Sequence, residues 1–318
     1  MPHTLDLLVV GDANPDVVLG PLDAPLAFEQ REQLVDAGAL TLGGSAAIMA
    51  CGAARLGLRV AFAGRVGDDD AGRYVRDALD ARGVDTRALR VDPRLSTPLT
   101  VVLTRADDRA IVTAPGTLPA TTAADVPAGL LAAARHVHAA SYFLLPRLAA
   151  GLPDLLRTAR SHGATTSLDT NDDPSGRWDP PGLDAVLAQT DYLLPNAAEA
   201  RQLAGLGTTD LEKSAAALAR RGPTVVVKNG AEGALCHDGR TLVTTRGIPA
   251  RPVDTVGAGD SFDAGFVAAL LGGLTVPQAL ELAAVCGALS TRAPGGTTAQ
   301  PTWDEAFAQA TRNGKNPA

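Results

Sequence analysis

Aromatic side chains make up only 3% of this 318-residue chain, which weighs mildly against a ligand held mainly by stacked rings, although Phe28, Tyr142 and Phe143 are available. Cysteine is rarer still. Cys51, Cys236 and Cys286 are far apart and form no Cys-x-x-Cys pair, which argues against a disulfide framework and a zinc site. It favours buried free thiols in a reducing, cytoplasmic setting. His136 and His138 alternate along one strand face, but no third ligand lies nearby, so a structural role outweighs metal binding. No Lys/Arg block occurs and the net charge is −7, which excludes an electrostatic nucleic-acid surface. No apolar run approaches the roughly 18 residues a membrane span needs. Asp6 and Asp12 bracket the apolar stretch near the N-terminus, which reads as a first strand and not a signal peptide. Gly-x-x-x-x-Gly-Lys-Ser/Thr is absent, and no Gly-x-Gly-x-x-Gly follows the first strand. These absences argue against a P-loop enzyme and an ordinary dinucleotide-binding dehydrogenase.

What is present is a hydrophobic fraction of 46%, ample for a sizeable core. Short β-rich runs (5–10, 60–64, 136–140, 165–168, 192–194 and 224–228) alternate with helical segments (46–56, 70–82, 148–162, 181–188, 197–205, 212–221, 260–271 and 276–292). That rhythm predicts an α/β fold with a mainly parallel sheet covered on both faces. Ligands bind such sheets beyond the C-terminal strand ends, where Asp12, Asp169, Asn196 and Lys228 fall. Two segments, 16–41 and 97–115, break the rhythm. They read as antiparallel strands, with a hairpin turning at Asp107–Arg109, placed either on the sheet edge or apart from it. The Ala/Asn/Gly/Lys/Pro-rich tail after Phe307 is expected to fray.

The most informative stretch is Asp254-Thr-Val-Gly257-Ala258-Gly259-Asp260. Three small residues leave the backbone bare where a helical pattern begins, and a helix start with free N–H groups attracts anions. Asp260 lies in the first turn of that helix. A lone Asp there would be a helix cap. Beside an anion site, it suits a base that deprotonates a hydroxyl while the amides hold the attacked phosphoryl group.

Asp254–Asp260 resembles the C-terminal signature of the ribokinase (pfkB-type) carbohydrate kinases, and further landmarks follow in the family's order along nearly the whole chain. The resemblance implies a ribokinase-like three-layer sandwich over 1–318 as a single α/β domain, with 16–41 and 97–115 forming a small antiparallel β lid and a homodimer interface. It assigns Asp260 as the catalytic base and the amides of Gly257, Ala258 and Gly259 as the anion hole. Asn14 and Asp16, in Gly11-Asp-Ala-Asn14-Pro-Asp16, match residues that bind acceptor hydroxyls, and Gly43, Gly44 and Ser45 match the turn beside the acceptor. Asn196-Ala-Ala-Glu199 is similar to the family's Asn-x-x-Glu, near ATP phosphates and Mg²⁺, with Glu199 reaching the metal through water. By itself that tetrapeptide reads equally well as a helix cap. Lys228, Gly230 and Gly233 match the turn bordering the nucleotide. Asp254, with carbonyls near Val256 and Ser290–Gly296, matches a monovalent-cation (K⁺) site.

Two positions depart from the family pattern. Ile48 stands where relatives commonly have Asn, and Tyr142–Pro146 is mostly apolar where they have a polar acceptor ligand. Fewer polar partners make a fully hydroxylated pentose a less secure expectation than a deoxy sugar, a polyol or a nucleoside. The expected activity is ATP-dependent phosphorylation of a hydroxymethyl group on a sugar-like molecule. A nucleoside kinase and a catalytically silent sugar- or nucleotide-binding protein are the alternatives.

Overall fold

A computed structural model describes residues 3–105 and 108–314. Thirteen strands are present among them: β1 (Leu5–Val10), β2 (Asn14–Gly20), β3 (Ala37–Gly43), β4 (Val60–Gly67), β5 (Asp85–Asp92), β6 (Leu99–Arg105), β7 (Asp108–Ala114), β8 (Ala134–Ala140), β9 (Thr165–Asp169), β10 (Tyr192–Leu193), β11 (Thr224–Lys228), β12 (Ala234–His237) and β13 (Leu242–Thr245). The helices are α1 (Ser45–Arg55), α2 (Asp70–Asp80), α3 (Ala128–Ala133), α4 (Pro146–Ser161), α5 (Leu183–Leu187), α6 (Ala197–Ala204), α7 (Leu211–Ala219), α8 (Ala258–Leu271), α9 (Val276–Ser290) and α10 (Trp303–Gly314).

Nine strands form one sheet in the order β13-β12-β11-β10-β9-β8-β1-β4-β5. It is parallel from β5 to β11, and its β12 and β13 edge is antiparallel. Alternation along β1 explains the layering. Leu7 and Val9 enter a core with Phe62, Phe262 and Phe266, packed by α1, α8 and α9. Leu8 and Val10 face Leu152, Leu156, Leu187 and Leu218 on the opposite side. A strand buried on both faces is the mark of a parallel sheet between two helical layers.

The two irregular segments build a separate four-stranded sheet, β3-β2-β6-β7, and do not extend the main sheet. Its outer pairs are antiparallel, while β2 and β6 run parallel where the two stretches meet. Strand β2 opens with Asn14 and Asp16, so the two residues expected to bind the acceptor lie on this small sheet. Of the expected hairpin turn, Asp107 lies outside the described residues.

Four features differ from the sequence expectation, one being α3, which lies outside the expected helical segments. The β5 strand was missed because it is a sheet edge, with Ala88 and Leu89 buried amid charged neighbours, and lacks a clear alternation. The β12–β13 hairpin was also absent from the expected strands. The tail does not fray at Phe307. α10 continues to Gly314 because Thr302 and Glu305 cap its start, with Thr302 N donating to Glu305 Oε2 at 2.8 Å, and Trp303 stacks on Phe307. Residues 315–318 lie outside the described residues.

His136 and His138 on β8 are structural. The two His136 ring nitrogens hydrogen-bond Thr165 and Ser167 Oγ, both at 2.7 Å, and His138 Nδ1 shares Ser167 Oγ at 2.8 Å. Burial holds both imidazoles neutral, lowering their pKa values to about 3 and about 4.

Candidate active site

The residues expected to hold the acceptor begin where β1 ends. Asp12 accepts the Ser45 and Ala46 amides, each at 3.1 Å, and so anchors the first turn of α1 to the sheet. Burial raises its pKa despite those bonds. Asn14 Nδ2 donates to Asp16 Oδ1 at 2.7 Å and to Thr100 Oγ1 of the lid at 3.1 Å. Burial pushes Asp16 up to about 7 against the Asn14 hydrogen bond. Gly43 is required here, because a β-carbon on it would lie 2.0 Å from Asp16 Oδ1. Gly44 turns the chain into α1 with φ +86°, and a β-carbon there would sit 2.8 Å from Ala13 Cα.

The opposite wall is the start of α8. Asp254 Oδ1 accepts the Val256 amide at 2.9 Å and Oδ2 accepts the Gly295 amide at 2.8 Å, so one carboxylate ties two loops together. Gly257 takes a left-handed conformation (φ +72°) as the N-cap. A β-carbon there would meet Gly296 Cα at 2.7 Å and Ile48 Cγ2 at 2.9 Å. Ile48 is therefore a buried wedge between the Gly257 and Gly296 loops, with its carbonyl accepting from Gln300 Nε2 at 2.9 Å. The Ala258 amide donates to the Thr255 carbonyl at 3.3 Å. At the lid rim, Arg109 Nη1 approaches Thr255 Oγ1 at 3.4 Å, joining β7 to the same motif.

Asp260 is half-buried in the first turn of α8, and its Oδ1 accepts the Ser45 hydroxyl. Burial raises it to about 7. The Ser45 hydrogen bond and the Lys228 charge pull the other way, and Asp169 and Asp12 add to the rise. A carboxylate poised near neutrality suits proton transfer at physiological pH.

Lys228 faces inward at the end of β11. Its ammonium donates to Asp169 Oδ2 at 2.6 Å and to both Asp263 oxygens at 3.1 and 3.2 Å. It also lies 3.5 Å from where a Gly259 β-carbon would be, against the first turn of α8. Burial alone would strip the proton from Lys228, but the facing carboxylates outweigh it and raise its pKa. Burial likewise works against the Asp169 charge, yet Lys228 holds that carboxyl below its ordinary range. Burial drives the Asp263 carboxyl well up, and the neighbouring Asp169 adds to the rise against the pull of the Lys228 charge.

Asn196 and Glu199 adjoin this network, since Asn196 bridges Lys228 across the strand ends. They form a capping box on α6: Asn196 Oδ1 accepts the Glu199 amide at 3.0 Å, and Glu199 Oε2 accepts the Asn196 amide at 2.8 Å. Glu199 also takes the Asn196 side-chain amide at 2.6 Å, and burial, reinforced by Asp169, lifts it to about 7. Gly230 and Gly233 shape the β11–β12 turn, with φ +56° and +98°. A β-carbon on Gly233 would strike the Thr245 carbonyl at 2.1 Å.

A family model described as pfkB family carbohydrate kinase matches residues 4–303. The chain belongs to that family. Among curated relatives, the ATP-dependent ribose-1-phosphate kinase of Halopiger xanaduensis is 33% identical, covering 94% of this chain and 95% of its own. The nucleoside kinase of Methanothermobacter thermautotrophicus is 30% identical over 96% of each. An Arabidopsis thaliana ribokinase solved with ribose and ATP superposes with a TM-score of 0.82 at 25% identity, covering 98% of this chain and 99% of that one.

The structure of this kinase thus brings Asp260, Ser45 and the Gly257–Gly259 backbone together, with Asp12 between them and the Asn14–Asp16 pair. Sequence reading gave Asp263 and Asn171 no role and left Asp169 only as a strand-end position. One signal for Asp263 was available: an acid between Phe262 and Phe266 on a helix apolar on nearly all sides must have a buried partner. Asn171 carried no such mark.

Proposed function

We propose that this kinase transfers the γ-phosphoryl group of ATP to a hydroxymethyl group of a sugar or sugar-like small molecule. The observation carrying this reading is the half-buried Asp260 carboxylate, poised near pH 7 in the first helical turn behind Gly257. Asn14 and Asp16 orient the acceptor, and Asp260 takes the hydroxyl proton as the oxygen attacks phosphorus. The backbone amides of Gly257 and Gly259 stabilise the charge that develops on the phosphoryl oxygens, with the Ala258 amide joining if it leaves the Thr255 carbonyl. Lys228, bound to Asp169 and Asp263, contributes its field from behind Gly259 and not as a direct phosphate clamp.

Mg²⁺ would supply charge screening for the polyphosphate. Both Glu199 oxygens already accept hydrogen bonds from Asn196, which fits contact with the ion through water. Both Asp254 oxygens are likewise engaged by amides, so a K⁺ ion there would rest on carbonyls of the loops that Asp254 holds. The named relatives make a pentose phosphate and a nucleoside the first acceptors to try beside free sugars and polyols. ADP release is measured across that panel with Mg²⁺, with and without K⁺. Release with one acceptor class at least tenfold above the others is the expected result, and no acceptor-dependent release anywhere would overturn the reading.

Apolar side chains on the lid and its connection, Leu40 (55% exposed), Ile111 (58%) and Val112 (62%), fit a homodimer formed through the lid. Ile111→Asp is expected to shift sedimentation from dimer to monomer. A wild-type monomer at all concentrations would remove this assignment.

A further inference from the structure

Ser45 reads from sequence as an acceptor ligand, but its hydroxyl is otherwise engaged. Asn171, two residues past the end of β9, holds a left-handed backbone (φ +56°) and has its amide donating to the Asp169 carboxylate at 3.1 Å. Its side-chain Oδ1 accepts the Ser141 backbone N–H at 2.8 Å. A backbone N–H can only donate, so this contact identifies the oxygen of the Asn171 side chain and leaves Nδ2 as the end facing Ser45. Asn171 Nδ2 donates to Ser45 Oγ at 2.8 Å. The Ser45 hydroxyl therefore keeps its own hydrogen for Asp260 Oδ1.

We propose that Ser45 is a positioning residue for the catalytic base: Asn171 fixes the direction of the Ser45 hydroxyl, and that hydroxyl pins Asp260 Oδ1 so that Oδ2 faces the acceptor. This rests on Asp260 being the base. The chain of contacts runs from Lys228 through Asp169, Asn171 and Ser45 to Asp260, so groups on β11, β9 and α1 set the orientation of one carboxylate on α8. A base held in a single rotamer reaches the transition state without reordering, which is where such a bond acts. The remaining titratable groups facing Asp260 are Asp12 beyond β1, Asp169 on β9, Lys228 on β11 and Asp263 one turn along α8. Loss of the Ser45 hydrogen leaves all four in place.

The test is steady-state kinetics of Ser45→Ala with the best acceptor from the panel. A fall in kcat of about 10- to 100-fold is expected, as for the loss of one hydrogen bond to a charged group. The acceptor KM should stay within about threefold, and the acid limb of kcat/KM should move to higher pH. Asn171→Ala should lower kcat in the same direction, and Ser45→Ala/Asn171→Ala should be no worse than Ser45→Ala alone, because both act through one contact. A raised KM with kcat intact would make Ser45 an acceptor ligand and overturn the proposal, as would full additivity of the two substitutions. Asn171→Ala also serves if Ser45→Ala does not fold. Asp260→Asn separates the two levels. If that variant keeps turnover, the base assignment fails. If it is inactive while Ser45→Ala keeps wild-type kcat, only the positioning role fails.

Discussion

Replacing Asp260 with Asn is expected to lower kcat by about 10²- to 10⁴-fold, the usual worth of a general base, while ATP binding and the fold persist. The amide keeps the size and the acceptor oxygen for Ser45 but cannot take a proton. In the wild type, kcat/KM should rise with pH through about 7 and fall tenfold per unit below it, because burial raises Asp260 to that value and only the ionised form acts. Stability should move oppositely to activity. A carboxyl whose folded pKa lies above its ordinary value favours the folded state least at high pH, its contribution being lost as pH rises from about 4 to about 7. Asp260→Asn should therefore melt at or above the wild-type temperature at pH 8, by calorimetry. Wild-type-like turnover in this variant would sink the base assignment, and a lower melting temperature would sink the electrostatic account of its cost.

Lys228→Met is the second large effect. The wild-type cluster sets one ammonium against Asp169, held below the ordinary carboxylate range, and Asp263, pushed well above it. Methionine fills similar space but leaves a charge buried at 2% side-chain exposure without its partner. Breaking a buried pair this way costs about 3–5 kcal/mol, measurable by denaturant titration at pH 7. Adding Asp169→Asn should recover a large part, because the uncompensated charge is then gone. A loss below about 1 kcal/mol, or no recovery in the double variant, would mean that the cluster does not anchor the strand ends. Activity should fall as well, since Asp169 also holds the Asn171 amide.

These two residues mark where sequence reading succeeds and where it stops. The start of α8 was legible because the glycines and the acid occupy consecutive positions, whereas the hydrogen-bond partner of Asp260, Ser45, lies 215 residues away. The sheet was legible for a similar reason, as strands buried on both faces leave unbroken apolar runs such as Leu5–Val10 apart from Asp6. Lys228 reads from sequence as a strand-end cation in the turn that matches the one bordering the nucleotide. Its partners, Asp169 and Asp263, lie 59 and 35 residues away and meet it only once β9, β11 and α8 have packed. Ile48 was legible as a departure but not as a wedge, because its contacts at Gly257 and Gly296 arise from the same long-range packing. The Asn196–Glu199 pair is a helix cap, and its place beside Lys228 at the strand ends could not be read from the tetrapeptide itself.

Gly44 of the turn into α1 and Gly257 of the signature bear on how lineages of this fold are to be judged. Gly44 and Gly257 are held by crowding against Ala13 and Gly296 and by left-handed backbone. A descendant that had ceased to phosphorylate anything would still be under pressure to retain both, simply to fold. Their persistence in a relative records ancestry and architecture, not turnover. With Asp260 as the proposed base, that residue is under the opposite pressure, because an uncharged side chain there relieves a burial penalty as soon as catalysis stops mattering. Among the residues of the motif, it is the one whose loss would identify a retired enzyme.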